Sequence, residues 1–210
     1  MFHSPHLQGD THVTRDSLLA YVFWHWRHPS AERSAYESAQ QAFQRALTAS
    51  PSAGFIRSFS HAIQGAPWAN EGGEAYEDWY LVRDAAALDP LEEAAVTAGR
   101  KGAHDLAASL AAAGTAGLYQ LRLGSAPTAP RSSQWFSKPA GLSYQQVFAG
   151  VEPALKPVGG SLWIRKMTLG PATEFCVLAR EPAVLASPFQ MFAFQLRPIW
   201  DGSLAEAAAR

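Results

Sequence analysis

Four short segments of this 210-residue chain recur, in the same order, in its second half. Ser38-Ala39-Gln40-Gln41-Ala42-Phe43 matches Ser143-Tyr144-Gln145-Gln146-Val147-Phe148, and Ile56-Arg57 matches Ile164-Arg165. Leu81-Val82-Arg83-Asp84 matches Leu178-Ala179-Arg180-Glu181, and Tyr119-Gln120-Leu121-Arg122 matches Phe194-Gln195-Leu196-Arg197. One such match carries no weight. Four in one order, within the same element types and with length differences confined to loops, argue that one structural unit is written twice.

Periodicity and turn residues predict the elements of each unit. The first, 18–124, reads as a strand over 18–27, a helix over 30–49, strands over 54–64 and 75–84, a helical stretch from Asp89 to about 113, and a strand over 117–124. Asp89 is placed to cap that helical stretch, with Pro90 in its first turn and Glu92 closing a capping box, and the stretch breaks at 99–102. The second unit, 134–200, repeats the order with a strand over 134–138, a helix over 143–155, strands over 160–170 and 173–181, and a final strand over 191–200. Residues 125–133, rich in Pro, Ser and Ala, read as the linker, and 1–17 and 201–210 as a flexible N-terminal tail and a C-terminal tail.

The helices carry one apolar stripe each: Ala35, Ala39, Ala42, Phe43, Ala46 and Leu47 in the first, Val147, Phe148, Val151 and Leu155 in the second. The strands differ, because 18–26 and 75–82 place large residues on both alternating faces and so must be covered on both sides. With 48% hydrophobic and 17% charged residues the chain can supply that core. The order βαββαβ, written twice with helices on one face and a second apolar face in need of cover, resembles the ferredoxin-like fold in its dimeric α/β barrel form. The resemblance spans Leu18 to Trp200 and rests on topology. It implies an α+β fold of two tandem ferredoxin-like βαββαβ units whose antiparallel sheets pack into an intrachain α/β barrel. That superfamily includes cofactor-independent monooxygenases, haem-degrading enzymes, chlorite dismutase-like haem proteins, isomerases and ligand-sensing domains, so fold alone selects no function.

Candidate chemistry follows from what enters the barrel. On the first strand His25 and Arg27 alternate with Trp24, Trp26 and His28; turned inward, they would form an acid/base and anion-binding pair, against the plainer reading of a hydrogen-bonded histidine in an aromatic core. On the next strand Phe55, Arg57, Phe59 and His61 share a face, suited to a carboxylate or an enolate, or else to solvent at a sheet edge. If Tyr119, Leu121 and Leu123 pack on the helices, Gln120 and Arg122 enter the barrel, as do Gln195 and Arg197 of the second copy. There they would meet Glu77, Asp78 or Glu174, or an anionic ligand. Arg165, the counterpart of Arg57, joins this set. Trp68, in the loop 65–73, reads either as the contact residue of a lid over the barrel mouth or as part of a plain hairpin.

These residues imply a small-molecule-binding barrel for a hydrophobic, acidic compound, with His25 or His61 as base and arginines holding negative charge. The resemblance makes this a cofactor-independent oxygenase or an isomerase. The competing expectation is a non-catalytic structural or regulatory interaction module with a filled barrel. Haem is not expected: His25, His28, His61 and His104 lie in no ligand motif, and the resemblance would place the axial histidine in the C-terminal unit, which contains none. His3, His6 and His12 sit on a tail that would hold a metal poorly, and no metal is expected. The single cysteine, Cys176, forms no internal disulfide, which fits a reducing, cytoplasmic setting. A net charge of -1 gives no field for a phosphate backbone, and no apolar run is long enough to cross a bilayer, so nucleic acid and membrane are not expected partners. Fusion of two units removes the need for a dimer yet permits further self-association. Phosphate-loop, Gly-x-Ser-x-Gly and His-Glu-x-x-His sequences are absent.

Overall fold

The computed structural model describes residues 18–202 except 168, 169 and 171. The N-terminal tail with His3, His6 and His12, and all of the C-terminal tail beyond 202, lie outside the described residues. In chain order the elements are β1 (Leu19–Arg27), α1 (Arg33–Ala49), β2 (Phe55–Gln64), β3 (Glu74–Val82), α2 (Leu88–Ala95), α3 (Lys101–Leu110), β4 (Ala111–Gly124), β5 (Ser132–Phe136), α4 (Tyr144–Val158), β6 (Ser161–Arg165), β7 (Phe175–Ala179), β8 (Met191–Gln195) and β9 (Arg197–Trp200).

All nine strands belong to one antiparallel sheet in the order β8-β5-β7-β6-β4-β1-β3-β2-β9. Only Leu196 separates β8 from β9, so the two ends of that series are two halves of one bent strand, and the sheet nearly closes on itself. Leu196 makes the bend by donating its N–H to the Arg131 carbonyl at 2.8 Å. The first four strands stand in the order β4-β1-β3-β2 and the next four in the order β8-β5-β7-β6, with seams at β4/β6 and β2/β9. The result is an α+β, barrel-like fold with its helices outside.

Several boundaries depart from expectation. The helical stretch predicted from Asp89 to 113 is two short helices, and Asp89 lies inside α2 rather than capping it. The Ala run after Leu110, a good helix former, instead extends β4, because Ala113 and Ala111 pair with Trp26 and Arg27 of β1. Tertiary pairing overrides propensity here. α1 begins at Arg33, three residues later than predicted, after a turn in which Ala31 N–H bonds the His28 carbonyl at 2.9 Å. α4 starts as expected, with a Ser143/Gln146 capping box, and ends at Gly159, whose φ of 55° suits a residue without Cβ. β6 and β7 are each shorter than predicted, since residues 166–174 form their connection.

The ladder also tests three of the four sequence matches, those that fall on strands. Tyr119 and Leu81 both pair with Ala20, while Phe194 and Leu178 both pair with Ser133, so these matches occupy equivalent places and Gln120 corresponds to Gln195. Arg57 pairs with Leu81, but Leu178 pairs with Ser161. The expected coincidence of Arg57 with Arg165 therefore fails by four residues, because two-residue similarity cannot fix a register.

The barrel interior is packed. Trp24, Trp79, Trp135 and Trp163 are fully buried within one core cluster that also contains Tyr119, Phe59 and Leu121. Trp24 and Trp135 approach to 5.2 Å between ring centroids, and Trp79 and Trp163 to 5.3 Å. Trp68 lies edge-on to Trp24, Trp135, Phe192 and Phe194, so the indole of the 65–73 loop packs against the aromatic interior. Among these rings sits one carboxyl group, that of Glu77, which accepts Trp24 Nε1–H at 3.0 Å and Trp79 Nε1–H at 2.8 Å. Burial pushes its pKa from 4.5 up to about 7, with the two indoles partly offsetting the rise.

Glu77 and His61 have opposite effects on stability. Folded Glu77 holds its proton more firmly than the unfolded chain does, so its contribution is full below pH 4.5 and is lost as pH rises to about 7. Burial, then the charge of Arg131, lowers His61 from 6.5 to about 4, so its contribution is lost as pH falls through that window. In urea unfolding followed by tryptophan fluorescence, the two oppose each other in the native protein between about pH 4.5 and 6.5. His61→Gln is expected to expose a fall of about 3 kcal/mol as pH rises, and Glu77→Gln a rise of similar size. Parallel pH curves for all three proteins would refute this account.

Candidate functional site

Because β1 alternates strictly, sending Ala20, Val22 and Trp24 into the barrel sends Leu19, Tyr21, Phe23 and His25 towards the helices. On β3 the same rule places Trp79 and Leu81 inside and Tyr76, Asp78 and Tyr80 outside. The outer face of β1, β3 and β4 and the inner faces of α1, α2 and α3 leave between them a cavity of about 800 Å³. Its walls are mainly Phe23, Phe43, Leu47, Leu88, Leu91 and the alanines of α3 and early β4. Tyr21, 38% exposed, lies where the cavity meets solvent.

The polar groups gather at one end. His25 is 1% exposed; its Nδ1 is 2.5 Å from the Tyr36 hydroxyl, and its Nε2 is 3.3 Å from Asp78 Oδ2. Tyr76 stacks on the imidazole at 5.5 Å, nearly parallel. Asp78 Oδ2 accepts the Tyr80 hydroxyl at 2.8 Å and Gln44 Nε2–H at 3.0 Å. Burial alone would raise the Asp78 carboxyl, but His25 and the surrounding donors outweigh it and hold the group below its ordinary range. Burial, then the Asp78 charge, raises both the Tyr36 and the Tyr80 phenols, which therefore stay protonated. The arrangement is an imidazole with an ionised carboxylate on one nitrogen and a phenol on the other, at the floor of an apolar cavity. Such a group can take up a proton and have the resulting cation stabilised by the carboxylate.

The structure redistributes the residues expected from sequence. His25 faces the helix-side cavity and not the barrel. Arg27, expected beside it as an anion holder, turns to the Ala31 carbonyl at 2.7 Å and to Glu74 at 3.4 Å. His61 lies inside the barrel with both ring nitrogens unbonded among the described residues, so it is a buried interior group remote from the cavity lining. Arg57 donates to the carbonyls of Ala126, at 3.0 Å, and Pro127, tying the 125–131 segment across the barrel. Phe55 leaves its face through a bulge and packs with the helices.

Gln120 and Arg122 do not enter the barrel, because Tyr119 and Leu121 do. Gln120 contacts Lys166 at 3.2 Å, and the Arg122 guanidinium lies 5.0 Å over the Phe148 ring. Arg165 donates to the Ala172 carbonyl at 2.7 Å, Gln195 is exposed, and Arg197 pairs with Glu37 at 2.5 Å on the outer surface. None of these, nor Trp68, lines the large cavity.

Sequence reasoning missed Tyr36, Gln44 and Tyr80 as site residues and considered Asp78 only as an ion-pair partner. A signal was present: Tyr36, Gln40 and Gln44 fall at four-residue spacing on the buried face of α1, where polar side chains need partners. A haem fits this set of residues poorly. His25 Nδ1 is taken by the Tyr36 hydroxyl and its Nε2 faces Asp78 at 3.3 Å, while His104, the other histidine on the cavity wall, packs edge-on against Phe43 and pairs with Asp105. Among the described residues there is no cluster of metal-ligating side chains, and no helix is long and apolar enough to cross a membrane.

No protein-family profile matches the chain, and no curated protein sequence matches it. Solved structures do. A provisionally assigned monooxygenase from Fusobacterium nucleatum superposes with a TM-score of 0.60, covering 87% of this chain and 93% of its own at 8% identity. Another from Lactobacillus acidophilus gives 0.56, with 87% and 94% covered at 8% identity. SnoaB from Streptomyces nogalater, a cofactor-independent oxygenase, covers 51% of this chain and 95% of its own at 18% identity, with a TM-score of 0.37 too low to argue from. The first two show a shared fold, and identity this low transfers no activity.

The Asp78 cluster has a direct stability test. Tyr80→Phe removes one hydroxyl donor from a buried, ionised carboxylate, at an expected cost of about 1.5–3 kcal/mol in urea unfolding at pH 7. A cost within error of zero would mean that the Tyr80 hydroxyl does not hold the carboxylate.

Proposed function

We propose that the chain is an enzyme that binds a hydrophobic compound with a weakly acidic C–H or O–H in the cavity between sheet and helices, and removes that proton. The observation that carries this reading is the seating of His25 between Tyr36 and Asp78 at the cavity floor. Asp78 favours a proton on Nε2, which leaves Nδ1 as the basic nitrogen behind the Tyr36 hydroxyl. As the ligand's proton passes to the Tyr36 oxygen, the Tyr36 proton passes to Nδ1, and the imidazolium so formed is stabilised by Asp78. The ligand keeps the electron pair as a carbanion or enolate. From there, reprotonation elsewhere gives an isomerase, and reaction with dioxygen a cofactor-independent oxygenase; the monooxygenase-like fold neighbours lend the second some support.

The arginines once assigned to an acidic ligand do not enter this reading. We further infer that 18–124 and 132–200 are two copies of one unit joined by 125–131, since β5 begins at Ser132, inside the linker expected over 125–133; the like strand orders and the Tyr119/Phe194 and Leu81/Leu178 equivalences support this. A cytoplasmic location is proposed from the lone buried thiol. The competing reading, a non-catalytic interaction module, has the packed barrel in its favour; the cavity outside the barrel favours a ligand.

The test is deuterium exchange of hydrophobic carbon acids such as 2-tetralone, read by NMR in D₂O, with oxygen uptake followed in parallel. The native protein should accelerate exchange, and His25→Ala should reduce the acceleration by about 100-fold or more. Asp78→Asn should lose at least about tenfold, because the imidazolium loses its partner. Exchange as fast with His25→Ala as with the native protein would remove His25 as the base.

A further inference from the structure

The charge around the cavity narrows the ligand. Among the described residues that line it there is no lysine or arginine, whereas two carboxylates are present: Asp78 at the floor and Glu92 on the exposed side of α2. Of the cations near the lining residues in sequence, Arg45 is exposed and does not line the cavity, and two others are already engaged. Arg100 donates to the Ala94 and Ser50 carbonyls, the latter at 2.5 Å, and Lys101 pairs with Asp105. A ligand carboxylate or phosphate would thus leave water for an apolar wall that offers it only His25, already facing Asp78, and His104, already paired with Asp105, and it would face two like charges.

We infer that the cavity rejects anions and takes a hydrophobic compound that is uncharged as it binds, with Glu92 as the specificity-determining residue at the rim. This rests on the cavity being the ligand site, and reverses the expectation of an acidic ligand held by arginine. Charge selection of this kind works by penalising the wrong ligand rather than by adding contacts to the right one. It also suits the proposed step, since a substrate that gives up its proton inside the cavity must arrive with it.

Calorimetric titration with 2-naphthamide and 2-naphthoate, close in shape and different in charge, tests this on the intact chain at pH 7.5. The amide is expected to bind at least tenfold more tightly, a difference of about 1.4 kcal/mol. Glu92→Gln should narrow the gap and Glu92→Lys close or invert it, while Ala108→Trp, which fills the cavity mouth from an exposed position, should abolish amide binding. Equal affinities, with binding lost in Ala108→Trp, would overturn anion rejection and leave the site standing. A gap unmoved by both Glu92 variants would remove Glu92 as its cause. No binding of either compound would overturn the ligand site and this inference together.

Discussion

The strict alternation of β1 and β3 is the constraint on which everything else hangs. Both strands carry large side chains on both faces, and in a nearly closed sheet one face must fill the interior while the other meets the helices. Trp24 and Trp79 take the interior, and that choice alone sends His25, Asp78 and Tyr80 outward. A shift of one residue in β1 would bury the imidazole among indoles and turn Trp24 towards the cavity, and the same shift in β3 would exchange Asp78 and Trp79. The five-ring cluster of Trp24, Trp68, Trp79, Trp135 and Trp163 occupies the space in which a ligand would otherwise sit. The proposed ligand site accordingly lies in the cleft outside the barrel.

The same alternation separates two neighbouring carboxyl groups into opposite roles. Glu77 faces inward, meets two indole donors, and is raised to about 7 by burial. Asp78, one residue later, faces outward, and there imidazole, phenol and amide donors hold it ionised despite equal burial. Environment, not residue type, sets each protonation state. A neutral acid can sit within an aromatic core at modest cost, whereas an ionised one needs several donors, which explains why Gln44 and Tyr80 lie buried beside Asp78.

Much of the fold was legible in the sequence because it is written in local pattern: the stripes of α1 and α4, the start of α4 at Ser143, and the two-sided strands. Which face turned inward was not. The expectation that Gln120 and Arg122 enter the barrel rested on Tyr119 and Leu121 packing under helices, but large aromatic side chains fill a barrel equally well, and period alone assigns no side. The site was half legible. His25 stood out as a titratable group amid aromatics, whereas Tyr36 and Gln44 approach it only through the packing of α1 on β1 and β3, a contact no local pattern encodes. The Ala run at 111–113 misled for the opposite reason, since its helical propensity was clear and pairing with β1 overrode it.

Likeness between the halves sharpens where they differ. In the ladder, Leu81 corresponds to Leu178, so Asp78 corresponds to Phe175 and Tyr80 to Val177. Phe175 stacks on Phe136 at 5.2 Å and tilts against Tyr144 at 6.1 Å, and α4, with Val147, Val151 and Leu155, covers that part of the sheet together with Ala183 and Phe189. The first half instead spreads α1, α2 and α3 over its outer face and leaves the cavity between them. An apolar residue at the position of Asp78 permits close packing. A charged one requires donors from a helix held near it, and Gln44 and Tyr36 on α1 supply that reach. If one ancestral unit gave rise to both halves, the polar floor and the open cleft were gained or lost together, because neither is stable without the other: the carboxylate without its donors is a buried orphan, and the donors without the carboxylate are buried polar groups lacking a partner.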